Sequence, residues 1–226
     1  MIAIKHDFER RVTEIELYFK HLELFSERDA FIKTPTSTYK KRVDPELLKV
    51  MKANCFLLLY NLVESSISQS LTHIFDTISA KRKMYCEVKP QIRKIWIKHK
   101  HNNFKEKNSD SIFNILQTIE NDILDIQGFE GIPISGNIDG QKIKSIAELL
   151  GFSYKVHYTA GRGENLHVVK VRRNKLAHGE ESFSECGRSF TYADLVTIKN
   201  QVIRYVRRIL NNIESFLDED QYVINP

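Results

Sequence analysis

A long amphipathic repeat near the carboxyl end constrains the fold of this chain more than any other feature. Apolar residues recur there at spacings of three and four: Leu195, Ile198, Val202, Tyr205, Ile209, Ile213 and Phe216. Val206, Leu210 and Leu217 widen this stripe, and Thr191 with Asp194 forms a weak capping box at its start. Because such a helix buries one face along its whole length, other long elements must pack against it.

Two further segments provide partners for this helix. Near the amino end, apolar residues again recur at helical spacing: Phe8, Val12, Ile15, Phe19 and Leu22. A second helix is predicted over residues 45–76, with Asp44 as its cap and Pro45 in its first turn. It is apolar on nearly all sides between residues 55 and 63, so we expect it to be the central buried helix. The sequence therefore predicts an all-α helical bundle.

The segments between the long helices are less regular. Residues 108–140 look like an insertion, with a short helix near 111–124 followed by a glycine-rich turn. A short helix over residues 143–150 should end at Gly151. We expect a short extended piece at 152–157 and a small hairpin or an irregular loop at 182–190. No repeat or second apolar pattern indicates another domain, so residues 1–226 are predicted to form one domain.

Composition excludes several classes of protein. Of 226 residues, 42% are hydrophobic and 28% are charged, which is typical of one globular domain. Three scattered cysteines, Cys55, Cys86 and Cys186, favour a reducing compartment over a disulfide framework or a zinc site. His99 and His101 have no carboxylate at ligand spacing, so we expect no metal and no cofactor. Residues 55–63 are too few for a membrane span, and we expect a cytoplasmic protein without a membrane partner.

Positive charge is concentrated in one stretch of the chain. Residues 81–107 carry ten Lys or Arg against Glu87 and Glu106, and they include Trp96, the only tryptophan. A basic stretch with an aromatic residue is a plausible surface for the RNA backbone. The alternative is a solvated helix face from which Trp96 packs inward. The sequence leaves both interpretations open.

One short motif combines the groups needed to bind and cleave a phosphodiester. It reads Arg173-Asn174-Lys175-Leu176-Ala177-His178-Gly179. The guanidinium of Arg173 is a planar fork that suits phosphate oxygens, and the imidazole of His178 suits proton transfer near neutral pH. Lys170, Arg172 and Lys175 add positive charge and are candidate RNA contacts. The helix that carries the motif is predicted to begin with Asn165 as its cap and to end at His178-Gly179.

This motif and the helices around it resemble the HEPN superfamily, the higher-eukaryote and prokaryote nucleotide-binding domains. The resemblance runs from about residue 143 to 217. Within the superfamily, the chain is similar to stand-alone bacterial members, which are associated with toxin–antitoxin and phage-defence systems. It implies an all-α bundle, a homodimer, RNA as a partner and metal-independent endoribonuclease activity. Arg173 and His178 would be the catalytic residues, acting on RNA by 2′-hydroxyl attack. A cognate antitoxin protein is a further possible partner.

Two questions stay open at the level of sequence. Some members of the superfamily are non-catalytic, so the alternative function is a module that binds nucleotide, RNA or a partner protein. Asn174 is expected to order the motif, whereas Glu64 lies on a polar line of the second helix together with Asn54, Asn61 and Ser68. Glu64 either supports the catalytic residues or only satisfies hydrogen bonds within the helix packing.

Overall fold

The chain folds mainly into α-helices, and the all-α prediction is confirmed. The structure is a computed structural model that describes residues 1–27, 30–33, 35–36, 39–100, 108–119, 122–128, 132 and 136–224. Its helices are α1 (Ile2–Ser26), α2 (Pro45–Ala80), α3 (Pro90–Lys100), α4 (Ser109–Thr118), α5 (Gly140–Leu150), α6 (Glu164–His178), α7 (Phe183–Arg188) and α8 (Tyr192–Asp218). Strands β1 (Phe31–Ile32) and β2 (Lys41–Arg42) pair antiparallel, and 3-10 turns lie at Tyr85–Glu87 and Tyr158–Gly163.

Helix α2 is the centre of the bundle, as predicted. It contacts α1, α6, α7 and α8, and its side chains are buried on several faces. The predicted cap is present, because Asp44 Oδ1 accepts a hydrogen bond of 2.8 Å from the amide of Glu46. The helix runs four residues beyond the predicted end at residue 76, since Ile78 is also fully buried. Burial of this last turn stabilises it.

Helix α8 has the predicted start and the predicted buried stripe. Thr191 accepts from the amide of Asp194 at 3.1 Å, and Asp194 accepts from the amide of Thr191 at 2.9 Å. These bonds satisfy amide groups that have no partner within the helix. The motif-bearing helix α6 packs against both α2 and α8. Two long helices therefore fix the orientation of the motif.

The predicted connection at 182–190 differs from the structure. Residues 182–190 form neither a hairpin nor an irregular loop, because 183–188 make the short helix α7. Its start is a capping box, with Glu185 accepting from Ser182 and Ser182 accepting from Glu185. The predicted extended piece at 152–157 includes no strand residue and joins Gly151, the left-handed end of α5, to the next 3-10 turn.

The predicted starts and ends of two helices are also corrected. Helix α6 begins at Glu164, with Gly163 as its cap, and Asn165 instead lies in the first turn. The side chain of Asn165 donates to Gln201 Oε1 at 2.7 Å on α8, a distant contact that a local pattern does not reveal. Helix α4 ends at Thr118, before the predicted residue 124. Much of the glycine-rich turn that was expected next falls on residues outside the described ranges.

Close packing of α7 on α2 makes Gly187 sensitive to substitution. A Cβ atom at position 187 would lie 1.8 Å from the backbone oxygen of Lys49, so α7 would have to move. We expect Gly187→Ala to lower the free energy of unfolding by roughly 1–3 kcal/mol, measured by urea denaturation. The neighbouring exposed variant Arg188→Ala is the control and should stay within about 0.5 kcal/mol of wild type. Equal stability of Gly187→Ala and wild type would contradict this packing.

Candidate active site

The motif lies at the carboxyl end of α6, where the helix is stopped by Gly179. Gly179 has a φ of 72°, which favours glycine, and the amide of Glu180 donates to the oxygen of Lys175 at 2.9 Å. The predicted helix end at His178-Gly179 is therefore confirmed. Because His178 is the last helical residue, its imidazole lies on the exposed end of the helix and forms no hydrogen bond with any described residue.

Arg173 is held by two contacts that leave its charge intact. Its guanidinium lies over the ring of Tyr60, with Cζ at 4.6 Å from the ring centroid, and its Nη1 donates to Asn174 Oδ1 at 3.1 Å. The side chain is half-buried, and within the described ranges no carboxylate forms an ion pair with it. A cation–π contact is favourable for a partly desolvated guanidinium. The site therefore contains a positioned cation with a full positive charge.

A bridge through Gly136 joins the motif to the central helix. Asn174 Nδ2 donates to the carbonyl oxygen of Gly136 at 3.2 Å, and the amide of Gly136 donates to Glu64 Oε1 at 2.7 Å. Gly136 has a φ of 71°, a conformation that side-chain-bearing residues rarely adopt. Glu64 on α2 is thus linked to Asn174 on α6 through one peptide unit. This geometry brings together the two residues that were predicted to support the motif.

Tyr60 and Gly136 were missed in the sequence and belong to the same cluster. The hydroxyl of Tyr60 accepts from the amide of the buried Ile138 at 3.2 Å, and burial raises the pKa of Tyr60. Its spacing of four residues from Glu64, which places both on one face of α2, was a usable signal. Gly136 lies 72 residues from Glu64 along the chain, so no local pattern predicts their contact.

Two of the three predicted RNA contacts are held in internal ion pairs. Lys170 pairs with the buried Asp139, and Arg172 pairs with Glu181 at 2.6 Å while its guanidinium lies over Phe190. The ammonium of Lys175 has no ion pair in the part of the chain that the structure describes. Free positive charge on this part of α6 therefore comes from Arg173 and Lys175.

Within one chain, Arg173 and His178 do not form a joined pair. Five residues along a helix correspond to about 500°, so the two side chains point about 140° apart. Arg173 packs towards Tyr60, whereas His178 is exposed at the end of the helix. No hydrogen bond between them is present. One copy of the chain supplies the two groups on different faces of α6.

The basic stretch does not present its aromatic residue to the surface. Trp96 is 1% exposed and packs against Tyr85 with ring centroids 5.4 Å apart, which agrees with the inward-packing alternative. Lys81 pairs with Asp220 at 2.6 Å, and Arg93 donates to the backbone oxygen of Val88 at 2.8 Å. Residues 101–107 lie outside the described ranges. Stacking of an RNA base on Trp96 is therefore ruled out for this conformation.

The described residues offer neither a metal site nor a membrane-spanning helix. Among the described residues, no group of three or more His, Cys, Asp or Glu side chains is arranged to hold a metal ion. In the same residues, no helix has both the length and the apolar character required to cross a membrane.

The helical bundle and the Arg-Asn-x-x-Ala-His-Gly motif at the end of α6 define a HEPN-like protein. A sequence model of the HEPN_MAE_28990-like HEPN family matches residues 3–222. The chain therefore belongs to the HEPN family, whose members often bind RNA or form dimers. No curated protein and no solved structure gave a significant match.

The Tyr60 hydroxyl offers a direct test of how the motif is held. Tyr60→Phe keeps the ring under Arg173 but removes the acceptor for the buried amide of Ile138. Leaving this amide unpaired should lower the free energy of unfolding by about 1–3 kcal/mol in urea denaturation. Tyr158→Phe is the control, because Tyr158 is 76% exposed, and it should shift stability by less than about 0.5 kcal/mol. Similar losses of stability in both variants would argue against a stabilising role for the Tyr60 hydroxyl.

Proposed function

We propose that this protein is a metal-independent endoribonuclease whose site combines Arg173 and His178. The observation that carries the proposal is the contrast between the two side chains. Arg173 is half-buried, ordered by Tyr60 and Asn174 and not neutralised by a described carboxylate, whereas His178 is exposed at the end of α6. A fixed cation and an accessible imidazole are the groups that phosphodiester cleavage needs.

The chemistry of cleavage assigns a role to each group. The 2′-hydroxyl of RNA loses a proton as it attacks phosphorus, and the 5′-oxygen gains one as the bond to phosphorus breaks. Imidazole performs either transfer near neutral pH. The pentacoordinate phosphorus carries more negative charge than the ground state, so the guanidinium of Arg173 stabilises it preferentially. The products are a 2′,3′-cyclic phosphate and a 5′-hydroxyl.

A two-fold homodimer completes this site in the proposal. One chain presents Arg173 and His178 about 140° apart on α6, which is a poor arrangement for one phosphodiester. A two-fold axis near the end of α6 places a second His178 and a second Arg173 beside the first pair. The two imidazoles then serve as base and acid. Homodimers are frequent in the family, which supports this arrangement.

Supporting roles follow from the contacts around the motif. Asn174 and Glu64 act as positioning residues, since both bond to Gly136 and Asn174 also accepts from Arg173. Lys175 holds the RNA backbone through its unpaired ammonium. Lys170 and Arg172 contribute to RNA binding only to the extent that Asp139 and Glu181 leave their charge available. The cellular setting that we propose is a cytoplasmic toxin or defence effector, restrained by a cognate antitoxin protein.

The competing function is a non-catalytic HEPN module that binds nucleotide, RNA or a partner protein. One observation favours it: Lys170 and Arg172 are engaged in ion pairs, which reduces the charge offered to a long RNA. In that case Arg173 would contact a ligand phosphate, and His178 would only interact with the carboxyl end of the α6 dipole. Binding without strand cleavage is the result that separates this function from the proposed one.

Replacement of His178 tests the proposed reaction. In a cleavage assay with EDTA present, His178→Ala should cleave RNA about 10²–10⁴-fold more slowly than wild type, because it removes proton transfer. Arg173→Lys should also remain slow, since lysine lacks the planar fork. The exposed variant Arg188→Ala is the control and should cleave at the wild-type rate. Wild-type cleavage by His178→Ala, or cleavage that requires a divalent metal, would show that this mechanism is wrong.

Mixing two inactive variants tests the composite site. Arg173→Ala and His178→Ala dimers are mixed in equal amounts and allowed to exchange subunits, and the exchange is followed with differently tagged copies. Each mixed dimer retains one Arg173 and one His178, so the guanidinium and one of the two imidazoles face each other across the dimer. Because one proton transfer is retained, cleavage by the mixture should exceed the sum of the separate proteins but stay well below wild type. Light scattering gives the oligomeric state in parallel. Complete subunit exchange without any recovery of cleavage, or a monomer at micromolar concentration, would refute the shared site.

A further inference from the structure

A cavity lies towards the start of α6, away from the motif at its carboxyl end. Its volume is about 710 Å³, and it is enclosed by the start of α5, residues 154–156, the turn before α6 and Tyr205 of α8. This volume falls within the range of small-molecule sites. His167, which lines it, is separated from His178 by about 16 Å along the helix axis. The cavity is therefore distinct from the motif described above.

The walls of the cavity are mainly apolar, and its mouth is basic. Val156, Val168 and Tyr205 contribute apolar surface. Lys155 and Arg162 are exposed, and neither forms an ion pair within the described ranges. Glu164 also lines the cavity and reduces the excess of positive charge without cancelling it. An apolar interior beside two available cations suits a molecule with an apolar body and an anionic group.

A third cation lies over an aromatic ring at the same opening. The ammonium of Lys144 is 5.3 Å from the ring centroid of Tyr154, and it is also 3.8 Å from Glu148 in an exposed ion pair. Exposed pairs of this kind contribute little energy, so the charge of Lys144 remains available to a ligand. The ring of Tyr154 is partly exposed and offers a flat surface. A planar ligand body fits such a surface better than a branched one.

Tyr205 adds a hydroxyl to the lining of the cavity. Its side chain is 3% exposed, yet its hydroxyl has no hydrogen bond to any residue in the described part of the chain. Burial raises the pKa of Tyr205 to about 12, so the hydroxyl keeps its proton and can donate. The hydroxyl is not among the buried side-chain atoms that lack a partner, so it is open to the cavity. It can therefore donate to water or to a ligand oxygen there.

Arg162 occupies a backbone conformation that disfavours its side chain. Its φ is 50°, between Gly161 at 65° and Gly163 at 90°. A residue other than glycine in this region costs roughly 1–2 kcal/mol, and glycine would avoid the cost. The neighbouring Gly161 lies against Gln201: a Cβ there would lie 2.0 Å from Oε1 of Gln201, and this side chain would have to move and leave Asn165. No packing contact of this kind accounts for arginine at position 162. A guanidinium that meets a ligand at the mouth of the cavity would account for it.

Asp139 does not cancel this positive charge, although it lines the cavity. Its carboxylate pairs with Lys170, accepts from the amide of Lys142 at 2.9 Å and lies 3.3 Å from His167 Nδ1. Burial alone raises the pKa of Asp139, but Lys170 and the Lys142 amide outweigh this effect and lower the pKa overall. Asp139 therefore stays ionised and is neutralised by Lys170, which leaves Lys155 and Arg162 to a ligand.

We propose that this cavity binds a small aromatic anion. The flat ring enters between Tyr154, Val156 and Val168, the anionic group meets Lys155 and Arg162, and the hydroxyl of Tyr205 donates to a ligand oxygen. Phosphate and carboxylate share the chemistry that this arrangement recognises. Binding at this site is separate from RNA cleavage and does not require it.

The probe for this site is 2-naphthyl phosphate, with 2-naphthol and inorganic phosphate as its two halves. Isothermal titration of the full chain should give a Kd for 2-naphthyl phosphate about tenfold or more below that of either half. Arg162→Gly should weaken binding by about tenfold while unfolding at the same or a higher temperature, because it loses a charge and relieves the backbone. Tyr205→Phe should weaken binding by a smaller factor.

Two further variants separate the cavity from non-specific charge and from the motif. Val168→Phe fills the cavity and should abolish binding, with circular dichroism as the check of its fold. Lys20→Ala removes an exposed charge on α1 and should bind like wild type, as should His178→Ala. The proposal is overturned if 2-naphthyl phosphate binds no better than its halves, or if Arg162→Gly binds it as tightly as wild type. If the wild-type protein binds 2-naphthyl phosphate but does not cleave RNA, this result counts only against the proposed nuclease activity.

Discussion

The need to cover α2 is the constraint on which the rest of this bundle depends. A helix with apolar side chains on nearly all sides is stable in water only when other elements surround it. Helices α1, α6, α7 and α8 contact it, and Gly187 lets the backbone of α7 lie directly against that of Lys49. The position of α6 is therefore set by apolar packing, and helix α6 in turn fixes the position of the motif.

The polar side chains of α2 connect this packing to the motif on α6. Tyr60 and Glu64 interrupt the apolar surface. The ring of Tyr60 lies directly under Arg173, and Glu64 is joined to Asn174 through Gly136. Partial burial of a guanidinium is costly unless it is compensated. A carboxylate would compensate by cancelling the charge, as Glu181 does for Arg172. An aromatic ring and an amide oxygen compensate without cancelling it, so Arg173 keeps its charge for an anionic ligand.

Local patterns in the sequence predict this structure only as far as local forces determine it. Helical periodicity predicts α1, α2 and α8, and the Thr191–Asp194 box and Gly179 correctly mark helix ends. The helix at 183–188 was missed, although Ser182 and Glu185 have capping-box spacing, because six residues are too few for a periodic pattern. The bridge from Glu64 through Gly136 to Asn174 joins three distant segments. Such contacts follow from tertiary packing, so the positions of Arg173 and His178 in the motif were predictable but their surroundings were not.

Residues 136–139 touch α6 at two places, one beside the motif and one beside the cavity. Gly136 bonds to Asn174 beside Arg173, whereas Asp139 pairs with Lys170 and borders the cavity at the start of α6. Only two residues lie between Gly136 and Asp139, so one short segment borders both the motif and the cavity. The ion pair of Asp139 with Lys170 and the hydrogen bond of Gly136 with Asn174 hold this segment against the same helix.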